Sequence, residues 1–361
     1  MNGAKTLEQV VADMWDSAER LEVEPCTSVD AFRSGTSHAF DDSLVTALLA
    51  LAPLKRLKGI GFLGAIDYLR HGSGRAGHRR RHNRLEHSLG VAHLADVYAR
   101  EVGLPDNRRR LLLAASLLHD VGHGPLSHTL EPVFSDAFGI DHHSVTRDLI
   151  TGDLRAGLGI AEVLAAEQVD IEEVLALIDG EHDGDVGFLF SNQINLDTLE
   201  GIMRCRAFIA PRPAYRGAER IALLWARGGH TAEGAFDEFW RLKHDVYTLF
   251  IGGPAGAALD TLAQTYMREH LSQFSPDDFL ISETMLLRRH SELHGYLKVA
   301  ARSQEKLREV VPKAWLKAPV ERRRREFFIE KDTPLVNNAA INCRYRQTKT
   351  RSATTLADLL D

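Results

Sequence analysis

Cysteine is scarce in this chain of 361 residues: there are three, Cys26, Cys205 and Cys343, far apart and odd in number. No Cys-x-x-Cys pair occurs, which excludes a disulfide framework and a thiolate zinc site. Long apolar runs are missing as well. No stretch approaches the ~20 residues that span a bilayer, so no membrane association is expected. The amino-terminal MNGAKTLEQVVADMWDSAER is charged and amphipathic, unlike a secretory leader. Neither charge sign dominates: 44 Lys+Arg against 50 Asp+Glu give a net charge of −6, so the chain as a whole is not a polyanion binder. Strand-like alternation is rare and no internal repeat is visible. These absences point to a cytoplasmic globular protein of ordinary composition, 44% apolar and 26% charged.

Histidine is what the chain has in excess. Of seventeen, ten fall within one-fifth of the chain: His71, His78, His82, His87, His93, His119, His123, His128, His142 and His143. Periodicity around them is helical almost throughout, so the fold class is all-α. Leu44, Leu48, Leu51 and Leu54 mark one apolar stripe, and Leu85, Leu89, Ala92 and Val97 another. The segment Arg108 to Asp120 is apolar on nearly every side after its basic start and reads as a buried central helix, stopped by Gly122, Gly124 and Pro125. Further helices are expected at 127–134, 143–151, 160–166, 171–178, 196–207, 219–225, 234–250 and 255–271. A late hairpin or extended arm is expected from 325–331 and 341–347. The Gly/Arg/His-rich stretch 71–81 reads as a loop. The unbroken run Arg322 to Arg325 reads as a solvated helix face, with a nucleic-acid or nucleotide-effector site as its alternative.

Metal-assisted phosphoryl chemistry needs imidazole and carboxylate ligands that converge from separate helices. The chain offers His87 within one helix and His119-Asp120 at the end of the buried one. Successive helical residues point about 100° apart, so such a pair grips one ion only at a helix end, which the following Val121-Gly122-His123-Gly124 supplies. An ionisable pair at the tip of an apolar helix is costly unless paired or metallated.

The strings His82-Asn83-Arg84-Leu85-Glu86-His87-Ser88-Leu89-Gly90-Val91 and Leu117-Leu118-His119-Asp120-Val121-Gly122-His123-Gly124-Pro125-Leu126-Ser127-His128 resemble the HD-domain phosphohydrolase superfamily. Within it they look most like the branch of the deoxynucleoside triphosphate triphosphohydrolases. The likeness runs from about residue 41 to about 287, which divides the chain into an N-terminal helical extension (1–40), an HD-domain helical core with added helices (41–295) and a basic C-terminal region (296–361).

What the resemblance implies is a pattern of H…HD…D holding one divalent metal ion (Mn, Mg, Fe, Ni or Zn) through His87, His119, Asp120 and Asp197. It further implies His123 and His128 as general acid or proton shuttle, a task suited to an imidazole near pKa 6.5. Arg84 would clamp a phosphate with its planar fork, and His142 or His143 would be a further active-site histidine. The substrate would be a phosphorylated small molecule of the nucleotide class, and the protein a homo-oligomer. Against that branch, Thr198, Gly201 and Cys205 stand where a basic residue, a sugar-stacking tyrosine and a sugar-binding carboxylate are expected, and Phe62-Leu63-Gly64 replaces Gln-Leu-Gly. The metal pattern is kept and the sugar-reading shell is not. Two other functions fit the same residues: a di-iron HD oxygenase, with extra ligands from His123, His128, His142 or His143, and a nucleic-acid or nucleotide-binding regulator with a relict site.

Overall fold

A computed structural model describes residues 42–69, 82–154, 157, 159–209, 215–227, 233–317, 319–338 and 340–360. The N-terminal extension and the loop at 71–81, with His71 and His78, lie outside them.

The fold is all-α, with one two-stranded ribbon near the C-terminus. Helix α1 (Ser43–Ala50) starts at Asp42, whose side chain accepts the Leu44 N–H. Helix α2 (Arg84–Val102) starts at Asn83, whose side chain accepts the Glu86 N–H at 2.9 Å, and stops at the left-handed Gly103. Helix α3 (Asp106–Leu118) is the buried centre: every residue from Leu111 to Leu118 is buried. With no polar face in those two turns, α3 must be wrapped on all sides, and α2 is its principal neighbour. Helices α4 (Glu131–Phe138) and α5 (His142–Thr151) follow the turn after α3. Helix α6 (Leu196–Ile209) returns to pack on α2. Then come α7 (Glu233–Asp245), which runs into a π-helical turn at Val246–Ile251, and α8 (Pro254–Glu269). The expected 127–134 helix is instead a 3-10 turn (Ser127–Thr129) followed by α4. Leu126 and Ser127 have φ of 57° and 44°, a left-handed geometry that non-glycine residues adopt at a cost and that breaks the helix there.

Strand β1 (Pro319–Ile329) pairs antiparallel with β2 (Tyr345–Thr355), Arg325 opposite Lys349. The expected late hairpin is present with its strands displaced, because residues 340–344 form a helical turn. The run Arg322 to Arg325 is thus a strand, which corrects the expectation of a helix face: four consecutive arginines carry no 3.6-residue period, and pairing with β2 decides their conformation. The closing helix α9 (Leu356–Leu360) packs on α8 with Leu356, Leu359 and Leu360 buried, so the basic C-terminal region is docked on the helical body.

Candidate functional site

Helices α2, α3 and α6 bring four side chains together. His87 projects from the first turn of α2 after the Asn83 cap, and His119 is the C-cap of α3 with Asp120 next in the turn. Asp197 lies in the first turn of α6, where Asn195 accepts the Thr198 N–H at 2.7 Å and donates to the Phe190 carbonyl at 3.0 Å. Nε2 of His87 is 2.9 Å from Asp197 Oδ1 and 3.3 Å from His119 Nε2, and His119 Nε2 is 3.8 Å from Asp197 Oδ1. Ligands bonded at ~2.1 Å to one ion sit roughly 3.0–3.4 Å apart, close to this spacing.

The outer ring nitrogens fix the tautomers. Nδ1–H of His119 donates to the Ser116 carbonyl at 2.8 Å, and Nδ1–H of His87 to Glu200 Oε2 at 2.5 Å. Both Nε2 atoms therefore face each other and the Asp197 carboxylate. Groups that converge in this way repel unless a proton or a metal cation lies between them, so the set fits a divalent ion that displaces the proton held on His87. Burial alone lowers the pKa of His87, but the carboxylates of Glu200, Asp197 and Asp120 outweigh it and lift the pKa to about 9. Asp197 is half-exposed, at 52%, which leaves an approach from solvent.

Asp120 lies at the rim of this trio, 3.7 Å from His87 Nε2 and 3.6 Å from His119 Nε2. Burial works against its charge, but Arg84, His119 and His123 hold its carboxyl well below the usual range. Arg84 is buried and donates from Nη1 to Asp120 Oδ2 at 2.7 Å and from Nε to Ser127 Oγ at 3.0 Å. Ser127 in turn donates to the Gly61 carbonyl at 2.7 Å. The left-handed turn at Leu126-Ser127 thus serves to hold the guanidinium. Among the described residues the Arg84 Nη2 has no protein acceptor, so one arm of its fork remains for a ligand.

Glu200 did not emerge from the sequence as a site residue. It is buried one turn after Asp197 on the same face of α6, and Arg204 grips it from a further turn along. Burial raises its pKa, yet Arg204 and His87 bring it down to about 2. Gly90 makes this approach possible: a Cβ there would lie 2.2 Å from Glu200 Oε1. The spacing Asp197, Glu200, Gly201, Arg204 was the available signal, since it is one helical face.

A second cluster adjoins the first. His123 is fully buried, 3.3 Å from Asp120 Oδ1 through Nε2, and its ring stacks on His142 at 4.1 Å and 10°. Burial and the nearby Arg84 charge push its pKa well down, so it is neutral at physiological pH. His128 meets both rings edge-on, at 4.6 and 5.2 Å. Glu131, also unanticipated, accepts from His142 Nδ1 at 2.5 Å and lies 3.8 Å from His128 Nδ1. Of the adjacent pair, His142 joins the cluster; His143 is exposed and touches it through the His142 ring at 4.0 Å. His93, further along α2, pairs with Glu219 at 2.7 Å.

Gly201 faces Phe62 and His87: a Cβ there would meet them at 3.4 and 3.7 Å. Phe62 packs on the His87 ring at 4.8 Å beneath the Arg84 guanidinium at 5.1 Å. Cys205 is buried and its thiol is pushed up by that burial, which removes it as a nucleophile. No helix among the described residues is long and apolar enough to cross a membrane.

A family model described as HD domain matches residues 84–206, a span that takes in Arg84, His87, His119, Asp120, Asp197 and Arg204. Among curated proteins, the uncharacterized protein YwfO of Bacillus subtilis is 32% identical over 185 residues, covering 50% of this chain and 40% of that protein. The deoxynucleoside triphosphate triphosphohydrolase SAMHD1 of Gallus gallus is 26% identical over 188 residues, 46% of this chain and 29% of that one. The chain thus spans less than half the length of either relative. Among solved structures, a phosphohydrolase from Bacteroides thetaiotaomicron superposes with a TM-score of 0.51 at 18% identity over 76% of this chain and 69% of that one, a likeness of fold.

Proposed function

We infer that this chain, a member of the HD-domain superfamily, is a metal-dependent phosphohydrolase that cleaves a phosphate ester or anhydride of a nucleotide or nucleotide-like molecule. The observation that carries the reading is the convergence of the His87 and His119 Nε2 atoms on Asp197, with both Nδ1–H groups already committed. His87, His119, Asp120 and Asp197 would hold one divalent ion, which supplies Lewis acidity toward a phosphoryl oxygen.

Hydrolysis adds water across a P–O bond, so a proton must leave the water and one must reach the departing oxygen. The second cluster handles that proton. His142 is fixed on Glu131 through Nδ1, which leaves its Nε2 to take the proton, His128 is 61% exposed at the rim, and His123 links both to Asp120. Arg84, already held on Asp120 and Ser127, orients a phosphoryl oxygen through its remaining nitrogen. The near-parallel stacking of His123 on His142 weighs against a second ion in this cluster. An imidazole binds a metal in its ring plane, and two rings at 10° cannot share one, so the di-iron alternative has weaker support.

The nucleotide element rests on the similarity to SAMHD1, while Thr198, Gly201 and Cys205 argue for a base or sugar other than that of a deoxynucleoside triphosphate. A homo-oligomer in the cytoplasm completes the proposal. The test is a panel of phosphorylated metabolites in which phosphate, pyrophosphate and triphosphate are quantified separately, with Mn, Mg, Fe, Ni and Zn in turn. Release of one product with a metal optimum supports the reading. A metal-loaded protein inert on the whole panel contradicts it.

A further inference from the structure

Residues 192–195 join the short helix Phe188–Ser191 to α6, and so set where the first turn of α6 stands, with Asp197 on it. The segment is neither helix nor strand, and a buried irregular segment must have its main-chain groups met one by one. Both groups of Gln193 are met by side chains from much later in the chain. Its N–H donates to Asn342 Oδ1 at 2.8 Å, and its carbonyl accepts from Lys243 Nζ at 3.0 Å. Asn192, buried beside it, donates from Nδ2 to the Asn338 carbonyl at 3.0 Å and accepts at Oδ1 from Asn342 Nδ2, also at 3.0 Å.

These bonds admit one orientation of each side-chain amide. The Gln193 N–H can only donate, so it draws Asn342 Oδ1 toward itself; the Asn338 carbonyl can only accept, so it draws Asn192 Nδ2. What remains is a donor on Asn342 facing an acceptor on Asn192, which is the bond observed. Asn342 thus closes the bracket with both ends of its side chain. The helical turn Ala340–Arg344 that carries it is firmly seated, with Ile341 buried. Arg344 grips Asp237 of α7 from Nε and Nη2 at 3.1 and 3.0 Å, and Tyr345 donates to the same carboxylate at 2.9 Å. Helix α7 therefore anchors the turn through Asp237 and reaches Gln193 through Lys243.

We propose that Asn342 is a positioning residue for Asp197: the C-terminal turn clamps residues 192–193 and so fixes the carboxylate that faces the two histidines. Asn195 carries the constraint onward, since it caps α6 and also bonds the Phe190 carbonyl. Asp197 needs such a hold more than its partners do. It is half-exposed, whereas His87 and His119 are each pinned through their outer ring nitrogen. The inference rests on the metal-site part of the phosphohydrolase reading. It gives a share in that site to residues outside the span matched by the HD-domain model.

The test is titration of the full chain with Mn²⁺, the free ion being counted by its electron paramagnetic resonance signal. Asn342 is exposed, so Asn342→Ala leaves the core intact. It is expected to weaken Mn²⁺ binding about fivefold, the size of one net hydrogen bond. Tyr345→Phe, which removes a bond that seats the same turn but none to residues 192–193, is expected to stay within about threefold of the parent. In an Asp197→Asn background, Asn342→Ala is expected to add less than about threefold, because the ligand through which it acts is gone. A loss under about threefold in Asn342→Ala itself overturns the clamp. So does an equal loss in Tyr345→Phe, which would mark a general loosening of the C-terminal region, or a full further loss in the Asp197→Asn background. A parent that binds no Mn²⁺ removes the ion and the clamp together. Turnover is scored separately: the expected binding pattern without hydrolysis of any phosphorylated compound leaves the clamp and removes the hydrolase reading.

Discussion

Nδ1 of His87 lies 2.5 Å from Oε2 of Glu200, a carboxylate that is itself held by Arg204 and admitted by Gly90. That contact decides which His87 nitrogen faces Asp197 and is left for a metal ion. Glu200→Gln retains the shape and loses the charge, and it is expected to weaken divalent-ion affinity by ~10–100-fold. It also takes from buried Arg204 the nearer of its carboxylates, Glu86 being 3.6 Å away, so the melting temperature falls with it. Titration of Mn²⁺ into the folded variant checks the first effect. Unchanged affinity would show that Glu200 has no hand in the metal site.

Arg84 spends Nη1 on Asp120 and Nε on Ser127. A lysine supplies a point charge and cannot make both contacts while offering a third donor. Arg84→Lys is expected to lower kcat/KM by about 100-fold, some 2.7 kcal/mol of transition-state stabilisation. Metal stoichiometry should stay as in the parent. Steady-state kinetics beside metal analysis separates the two effects, and a parallel loss of metal would assign Arg84 to holding Asp120 alone.

The Glu131–His142 pair makes a different demand. Burial opposes the Glu131 charge, but His128 and His142 hold its pKa well below the usual range, so it is ionised at all working pH values. Glu131→Gln is expected to reduce kcat by about 100-fold while KM and metal content hold, because it removes the anion behind the proton-handling imidazole. A kcat within a few-fold of the parent would take the second cluster out of the chemistry.

Asp260 on α8 accepts from Thr129 Oγ1 at 2.6 Å and so ties α8 to the histidine-bearing turn. Burial raises its pKa to about 6, opposed in part by that hydrogen bond. The folded state therefore holds this proton more tightly than the unfolded chain, in which an aspartate titrates at about 3.9. Its contribution to stability is fully present below about pH 4 and is lost as pH rises through about 6. Asp260→Asn is expected to gain stability over the parent across that window, by at most about 3 kcal/mol. Thermal melts of both from pH 4 to 7 check this. A difference that does not change with pH would contradict the buried carboxyl.

Much of the fold and of the convergence of His87, His119 and Asp197 was legible because the information is local. An apolar run from Leu111 to Leu118 has to be a central helix, and a His-Asp pair at its tip has to find a partner. The spacing after Asp197 carried Glu200 in plain view, but only the structure shows that the Gly90 gap on α2 receives it. Glu131 was hidden because its partner His142 lies beyond an intervening helix and loop. The arginine run was misjudged as helix, since four like residues have no period and their state is set by a strand some twenty residues later. For the same reason nothing in the sequence joins Arg325 to Tyr247 or Phe327 to Lys243, which meet only once the ribbon folds back.

The central claim is one catalytic ion in the His87, His119, Asp120 and Asp197 set. Its most direct test is phosphate-bond hydrolysis by chelator-stripped protein, followed as Mn²⁺ is added in fractions of an equivalent. The account predicts activity that rises linearly and breaks at one ion per chain, and that stays flat in Asp120→Ala. A break at two ions, or hydrolysis indifferent to chelation, would contradict it.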